Sequence, residues 1–452
     1  MDKVILEYNN STMTVDIETP LYEIAENVKD DFKYKIVGAR LGSSIVNLKT
    51  KVMNNEILEF YDMSSNIGNR MYSRSLEFLT TISAKKVLGI GSDVIINYSI
   101  ENGIHCEIVG KRINKDIASK IEEEMKRYVK KELPFKKVVV DRVEAIKYLK
   151  KNGQMDKVEI LKYMTEDNII IDLLDDTYDY YYGPLVHNTR ILDKFSLEYT
   201  GGNSFVLLFP TKDSPNKIKE YIEHPLTNKT YKDFSHWGKL VGVSTVSDLN
   251  RIITTGYGEA AVRFFEAHYN EEISDVIEAV CKKRDKIRMI LLAGPSSSGK
   301  TTTSMKLGLY LRVKGIVFKK ISLDDYFIDR KYCPKDENGN YDFSDIKALD
   351  VKLFQKQLQE MLDGKEVLMP TYDFVAGKQL FKDNYIKLNE GEMLVIEGIH
   401  TLNEKLTSAI PREEKFKIFQ NPLAGLKLDN HNRLHATDIR KIRRIVRDNT
   451  FR

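Results

Sequence analysis

Cysteine is scarce: Cys106, Cys281 and Cys333 are the only three in 452 residues. They lie far apart and form no C-x-x-C pair, which argues against a disulfide framework or a zinc knuckle and fits a reduced, cytoplasmic compartment. Long apolar runs are missing too. No stretch approaches the ~18 apolar residues of a membrane span, and the opening Met1-Asp2-Lys3-Val4 leads into no apolar segment of signal-peptide length, so a soluble protein with no membrane partner is expected. Neither sign of charge dominates: Lys+Arg 70 against Asp+Glu 66 leaves a formal net charge of +4. No global field therefore marks a nucleic-acid binder, and partners must be argued from local sites. A hydrophobic content of 42% is enough for real cores and excludes overall disorder. The length suits roughly two to four domains. The single tryptophan, Trp237, reads as core.

What is present centres on one stretch. The apolar run Ile287-Arg288-Met289-Ile290-Leu291-Leu292-Ala293 leads into Gly294-Pro295-Ser296-Ser297-Ser298-Gly299-Lys300-Thr301 and then into the helix-like Thr302-Thr303-Ser304-Met305. Strand, glycine-framed loop and helix in the spacing G-x-x-x-x-G-K-T form a phosphate cradle. The glycines let backbone N–H groups close around oxygens, the helix N-terminus adds partial positive charge, Lys300 reaches the β/γ-phosphates and Thr301 can ligate Mg²⁺. ATP and Mg²⁺ are the cofactors this implies, with residues 294, 296–299 and 300–302 (Gly294, Ser296, Ser297, Ser298, Gly299, Lys300, Thr301, Thr302) as the binding set.

Beyond Gly315, the run 317–321 reads as a second strand delivering Ser322-Leu323-Asp324-Asp325-Tyr326-Phe327. A parallel α/β unit places its chemistry at strand C-terminal ends, so Asp324 can accept a proton from a hydroxyl attacking the γ-phosphate, whereas Asp325 suits a capping role. A third apolar run, Met393-Leu394-Val395-Ile396, ends in Glu397-Gly398; an acid there is the Walker-B arrangement, a second candidate magnesium ligand. Arg440, Arg443, Arg444 and Arg447 fall on one helical face, where like charges repel, which suggests an anionic partner.

The rest of the chain reads as several α/β parts. Residues 1–62 begin with Val4–Tyr8 and Met13–Ile17 as strands of a hairpin turned at Asn9-Asn10-Ser11, then a helix with Leu21, Ile24, Ala25 and Val28 on one face, then a short strand at 34–37 closed by Gly38. Residues 63–225 are mixed, with an amphipathic helix over 116–131 carrying Ile117, Ile121, Met125 and Tyr128 inward. Its polar side and the following turn hold Lys126, Arg127, Lys130, Lys131, Lys136 and Lys137, most simply a solvated face, with RNA left open as a partner. Residues 226–285 read as a helical connector, including a helix over 271–283, and 286–452 as the P-loop region.

These residues carry three resemblances. The hairpin–helix–strand order of 1–62 is similar to the β-grasp TGS module at the front of threonyl-tRNA synthetases, with docking as its expected role. Residues 63–225 resemble the editing domain of threonyl- and alanyl-tRNA synthetases, whose four metal-ligand positions fall on Tyr72, Leu76, Tyr181 and Leu185. None is an ordinary zinc ligand, so the resemblance implies the shape without metal or hydrolysis, and His187 nearby reads as a hydrogen-bonding group rather than a ligand. From 287 onward, the P-loop, Ser322–Phe327, Tyr341-Asp342-Phe343, Pro370-Thr371-Tyr372-Asp373-Phe374, Ile396-Glu397-Gly398 and Thr437–Arg444 together resemble the uridine kinase and phosphoribulokinase group. The whole is similar to bacterial nucleoside kinases with a threonyl-synthetase-like front half.

The last resemblance implies an α/β multi-domain protein with a C-terminal parallel-sheet kinase domain that transfers phosphoryl from ATP to the 5′-hydroxyl of a uridine- or cytidine-like nucleoside. Asp324 would be the general base and Lys300 and Arg443 would act on the transferring phosphate, Arg443 from a lid. Asp342 and Arg440 would hold the ribose, and Tyr372 and Phe374 would line the base pocket. Two departures stand out: Gly377 occupies the position of a base-contacting histidine, and Arg452 falls within or just after the lid helix, where the family continues. An ATP-gated RNA- or ribosome-binding protein and a kinase for a phosphorylated sugar remain alternatives, and a homo-oligomeric state stays open.

Overall fold

A computed structural model describes residues 3–89, 91–336, 339–422 and 425–451, the side chains of Thr450 and Phe451 excepted. The chain separates into two compact units: Met1–Thr254 with Ala424–Leu434, and Thr255–Leu423 with His435–Arg452. The helical stretch 226–285 is thus divided between them. Among the described residues no helix is long and apolar enough to cross a membrane.

The first unit opens with the hairpin Lys3–Tyr8 and Ser11–Asp16, paired from Lys3 against Asp16 to Tyr8 against Ser11. Asn9 and Asn10 turn it at φ 48° and 60°, a left-handed pair that asparagine tolerates and hairpins require. Val4, Leu6 and Tyr8 alternate inward onto Leu21, Ile24 and Ala25 of the helix Leu21–Asn27. A five-stranded sheet results, in the order 11–16, 3–8, 56–62, 36–41, 44–46. Gly38, expected to close a strand, instead lies inside Ile36–Leu41 at a register shift. A Cβ there would fall 2.3 Å from the Met71 sulfur, so the glycine admits a packed neighbour rather than ending the strand.

A four-stranded antiparallel sheet follows, ordered 196–201, 204–208, 103–109, 93–100, with the helices Asn66–Leu88 and Lys115–Lys130 contributing to the same core. Tyr72, Leu76, Tyr181 and Leu185 are all buried in that core, and the Tyr72 hydroxyl donates to the Lys194 carbonyl at 3.0 Å. Ile121, Met125 and Tyr128 face inward as expected, while Lys126, Arg127 and Lys137 pair with Glu122, Glu124 and Asp172. One expectation fails here: Trp237 is only half-buried, packed on Phe234. His187 stacks on Tyr22, its Nδ1 buried without a hydrogen-bond partner among the described residues, and burial, with Arg190 and Lys49 nearby, pulls its imidazole down to about 4.

The late segment Ala424–Leu434 belongs to this first unit. Asp429 and His431 are fully buried. His431 holds Asp179 through Nδ1 at 2.6 Å and Asp93 through Nε2 at 2.8 Å, while Lys157 pairs with Asp179. Burial and the Lys157 ammonium oppose charge on the ring, but the facing carboxylates of Asp179 and Asp93 outweigh them and push the imidazole up to about 10.

The second unit is built on a parallel sheet in the order 318–322, 393–398, 289–293, 415–419. Its two central strands, Met289–Ala293 and Met393–Gly398, are buried along their whole length, as continuous apolar runs covered on both faces should be. The helix Lys300–Val313 and the long helix Gly258–Cys281, which starts well before the expected 271, pack over one face, and Val351–Leu362 lies over the other. An antiparallel hairpin, Glu366–Asp373 with Lys378–Lys387, projects beside them.

Candidate active site

The loop after Met289–Ala293 turns directly into the helix Lys300–Val313, with Ser297 at φ 59° and Gly299 at φ 100°. At Gly294 a Cβ would come within 2.3 Å of the Gln420 carbonyl oxygen, a backbone approach that only glycine allows. The Ser297 and Ser298 hydroxyls are buried without a partner among the described residues, polar groups held ready in the concavity of the loop. Ser296, Thr301 and Thr302 are exposed. Lys300 folds back so that Nζ donates to the Pro295 carbonyl at 3.3 Å, and the Thr301 hydroxyl donates to Glu397 at 3.2 Å. Glu397 is buried, with Lys320 Nζ 3.4 Å away.

Asp324 sits in the short 3₁₀ turn Leu323–Tyr326 at the end of the strand Phe318–Ser322, its N–H donating to Ser322 Oγ at 3.3 Å. Burial pushes its carboxyl above the usual aspartate range; the Lys300 ammonium pulls it back, while Glu397 and Asp325 push further. Burial conversely lowers Lys300, opposed by Asp324 and Glu397. The two groups lie in each other's field, half-buried, at one edge of the sheet. Asp325 does not cap a helix; its Oδ1 accepts from the Tyr372 N–H at 3.4 Å, tying the turn to the hairpin strand.

That strand presents Tyr372, buried, and the loop after it Phe374, exposed, in edge-to-face contact at 5.0 Å, with Phe327 packed against both. Asp342 accepts from the Ser344 N–H and hydroxyl, which lower its carboxyl, and His400 lies within its field. The helix Ala436–Phe451 brings two arginines onto the P-loop: Arg440 Nε donates to the Ser296 carbonyl at 2.8 Å and Arg443 Nε to the Ser297 carbonyl at 3.0 Å. Arg440 is therefore beside the P-loop, and among the described residues no hydrogen bond or ion pair joins it to Asp342. Arg444 and Arg447, grouped with them by spacing, pair with Asp448 instead.

Three residues at the site escaped sequence reading. Gln420 donates from Nε2 to the Ser298 carbonyl, Lys320 pairs with Glu397, and Arg330 lies against the loop after Phe374. None of the three carries a local signal, because their partners are distant in sequence.

Comparisons with known proteins relate different parts of the chain to two kinds of protein. Residues 289–452 match the model of the Phosphoribulokinase / Uridine kinase family. The uridine kinase of Ligilactobacillus salivarius is 29% identical over 169 residues, covering 37% of this chain and 70% of that protein. The threonine–tRNA ligase of Desulforamulus reducens is 24% identical over 171 residues, covering 38% of this chain and 27% of that protein. The chain thus spans about a quarter of the length of the ligases it matches. A solved structure of a possible uridine kinase from Bacillus stearothermophilus aligns with a TM-score of 0.27 at 22% identity, over 33% of this chain and 80% of that one. The C-terminal region is a kinase domain of the phosphoribulokinase and uridine kinase family, preceded by a region similar to threonine–tRNA ligases.

Proposed function

We propose that this chain transfers the γ-phosphoryl group of ATP to the 5′-hydroxyl of a uridine- or cytidine-like nucleoside. The observation that carries the reading is the placement of Lys300 and Asp324 in each other's field at the C-terminal edge of the parallel sheet. The P-loop N–H groups, with the Ser297 and Ser298 hydroxyls that have no partner among the described residues, fit a chain of phosphates, and a hydroxyl on Thr301 beside the Glu397 carboxylate fits Mg²⁺. When bound, the ion would neutralise charge on the β- and γ-oxygens.

Asp324 takes the proton as the 5′-oxygen forms its bond to phosphorus and the bond to the departing ADP breaks. Burial raises the pKa of that carboxyl and makes its ionised form a better base, while the Lys300 ammonium draws the pKa back down. Lys300 and Arg443 stabilise negative charge on the transferring group. Arg440 serves the same cradle or the ribose, Asp342 orients the ribose hydroxyls, and Tyr372 and Phe374 hold the base. The front half, with its β-grasp-like sheet and its editing-like sheet without ligands, is a docking part; a cytoplasmic setting goes with the three free thiols.

The test is ADP release by the whole chain against a panel of nucleosides and sugars. Nucleoside-dependent release abolished by Asp324→Asn supports the reading; release indifferent to every acceptor ends it.

A further inference from the structure

Gly377 stands in the tight loop between the strands Glu366–Asp373 and Lys378–Lys387, at φ 66°. The loop is closed by Asp373, whose carbonyl accepts from the Gly377 N–H at 2.7 Å and whose Oδ1 accepts from Val375 and Ala376 N–H. The space a side chain at 377 would need is already filled. A Cβ there would lie 2.9 Å from Arg330 Cβ and Nε and 3.0 Å from Cζ. Arg330 is locked into that space from two directions: its N–H donates to the Gly377 carbonyl at 2.8 Å, and its Nη2 donates to the Phe374 carbonyl.

The guanidinium therefore lies along the aromatic wall of Phe327, Tyr372 and Phe374, and its charge is felt by the Tyr372 phenol. The Tyr372 hydroxyl is buried beside Arg330, whose charge and hydrogen bonding act on it. Such a wall offers flat faces for a heterocycle. Its polar supply is rich in donors: a guanidinium donates through five N–H groups and accepts nothing, and one N–H is spent on Phe374 and another interacts with the Tyr372 phenol. A ring edge rich in carbonyl oxygens satisfies those donors, whereas an amino group turned toward them leaves donor facing donor.

Resting on the nucleoside-kinase reading above, we propose that Arg330 is a specificity-determining residue that selects a keto-bearing pyrimidine nucleoside, of the uridine type, over an amino-bearing one of the cytidine type. The discrimination is roughly tenfold to a hundredfold in kcat/KM, the range of one well-made donor–acceptor match.

Initial rates of ADP release by the whole chain, with uridine and cytidine at saturating ATP and Mg²⁺, test it. The expected result is a uridine preference of at least about tenfold in the native chain, reduced to within about threefold of unity in Arg330→Met, chiefly through a higher KM for uridine. Arg330→Lys, which keeps the charge but loses the fork, falls between and serves where the methionine variant melts early. Equal use of both nucleosides by the native chain, or a ratio unmoved in the folded variants, overturns the assignment while leaving nucleoside phosphorylation standing. Absence of nucleoside-dependent release overturns both.

Discussion

The Thr301 hydroxyl donates to a Glu397 carboxylate oxygen across 3.2 Å, joining the first turn of the P-loop helix to the end of a neighbouring buried strand. The two residues are 96 positions apart and meet because Met289–Ala293 and Met393–Gly398 pair in parallel, Ala293 against Gly398. A hydroxyl and a carboxylate so placed can share one divalent ion.

Glu397→Gln should keep the shape and remove the charge. The Mg²⁺ concentration for half-maximal ADP release is expected to rise by roughly tenfold to a hundredfold, the usual cost of disturbing a metal's supporting ligand. A magnesium titration of activity, compared with Thr301→Ala, measures it.

Asp324→Asn should lower kcat by about 10²–10⁴ while nucleotide still binds, because a positioned base contributes on that scale. The pH profile carries a second check. The base acts ionised, and burial raises its pKa above the usual aspartate range. Activity should therefore fall on acidification along a limb set higher than an ordinary aspartate's, read from kcat/KM against pH.

Arg443→Ala should lower kcat on the order of a hundredfold or more, since a cation aimed at transferring phosphate acts mainly on the transition state. Arg444→Ala, whose side chain pairs with Asp448 rather than the P-loop, should have a much smaller effect. Steady-state kcat for the two variants side by side separates them.

His431 supplies a stability prediction in the first unit. Its imidazole titrates near 6.5 when unfolded and near 10 when folded, so folding binds the proton more tightly. The stabilisation is complete below about pH 6.5, declines as pH rises, and is lost through about pH 10. His431→Ala should cost on the order of 3 kcal/mol near neutrality, because Asp179 and Asp93 lose their shared cation while remaining partly or wholly buried. Melting temperatures from pH 6 to 10 should fall more steeply for the native chain than for the variant.

The elements that sequence reading placed correctly are those whose signal is local. The Asn9-Asn10 hairpin, the inward face of the helix Lys115–Lys130 and the P-loop each depend on residues within one or two turns of each other. Gly38 misled because a glycine that ends a strand and one that admits Met71 look alike in sequence. Trp237 misled because residue type predicts burial only on average. The four arginines of the last helix share a period, yet only packing decided that two grip the P-loop and two turn to Asp448.

By itself the sequence marked the strand, the G-x-x-x-x-G-K-T loop and the helix after it, and the acids that follow the next two apolar runs, because these signals lie within short stretches of backbone. Tertiary structure alone decided that the space beside Gly377 belongs to Arg330, that Thr301 meets Glu397, and that His431 is buried between Asp93 and Asp179. Those partners are brought together by strand pairing and core packing over long stretches of chain. Burial then sets the strength of each charge and hydrogen bond, a quantity no residue carries on its own.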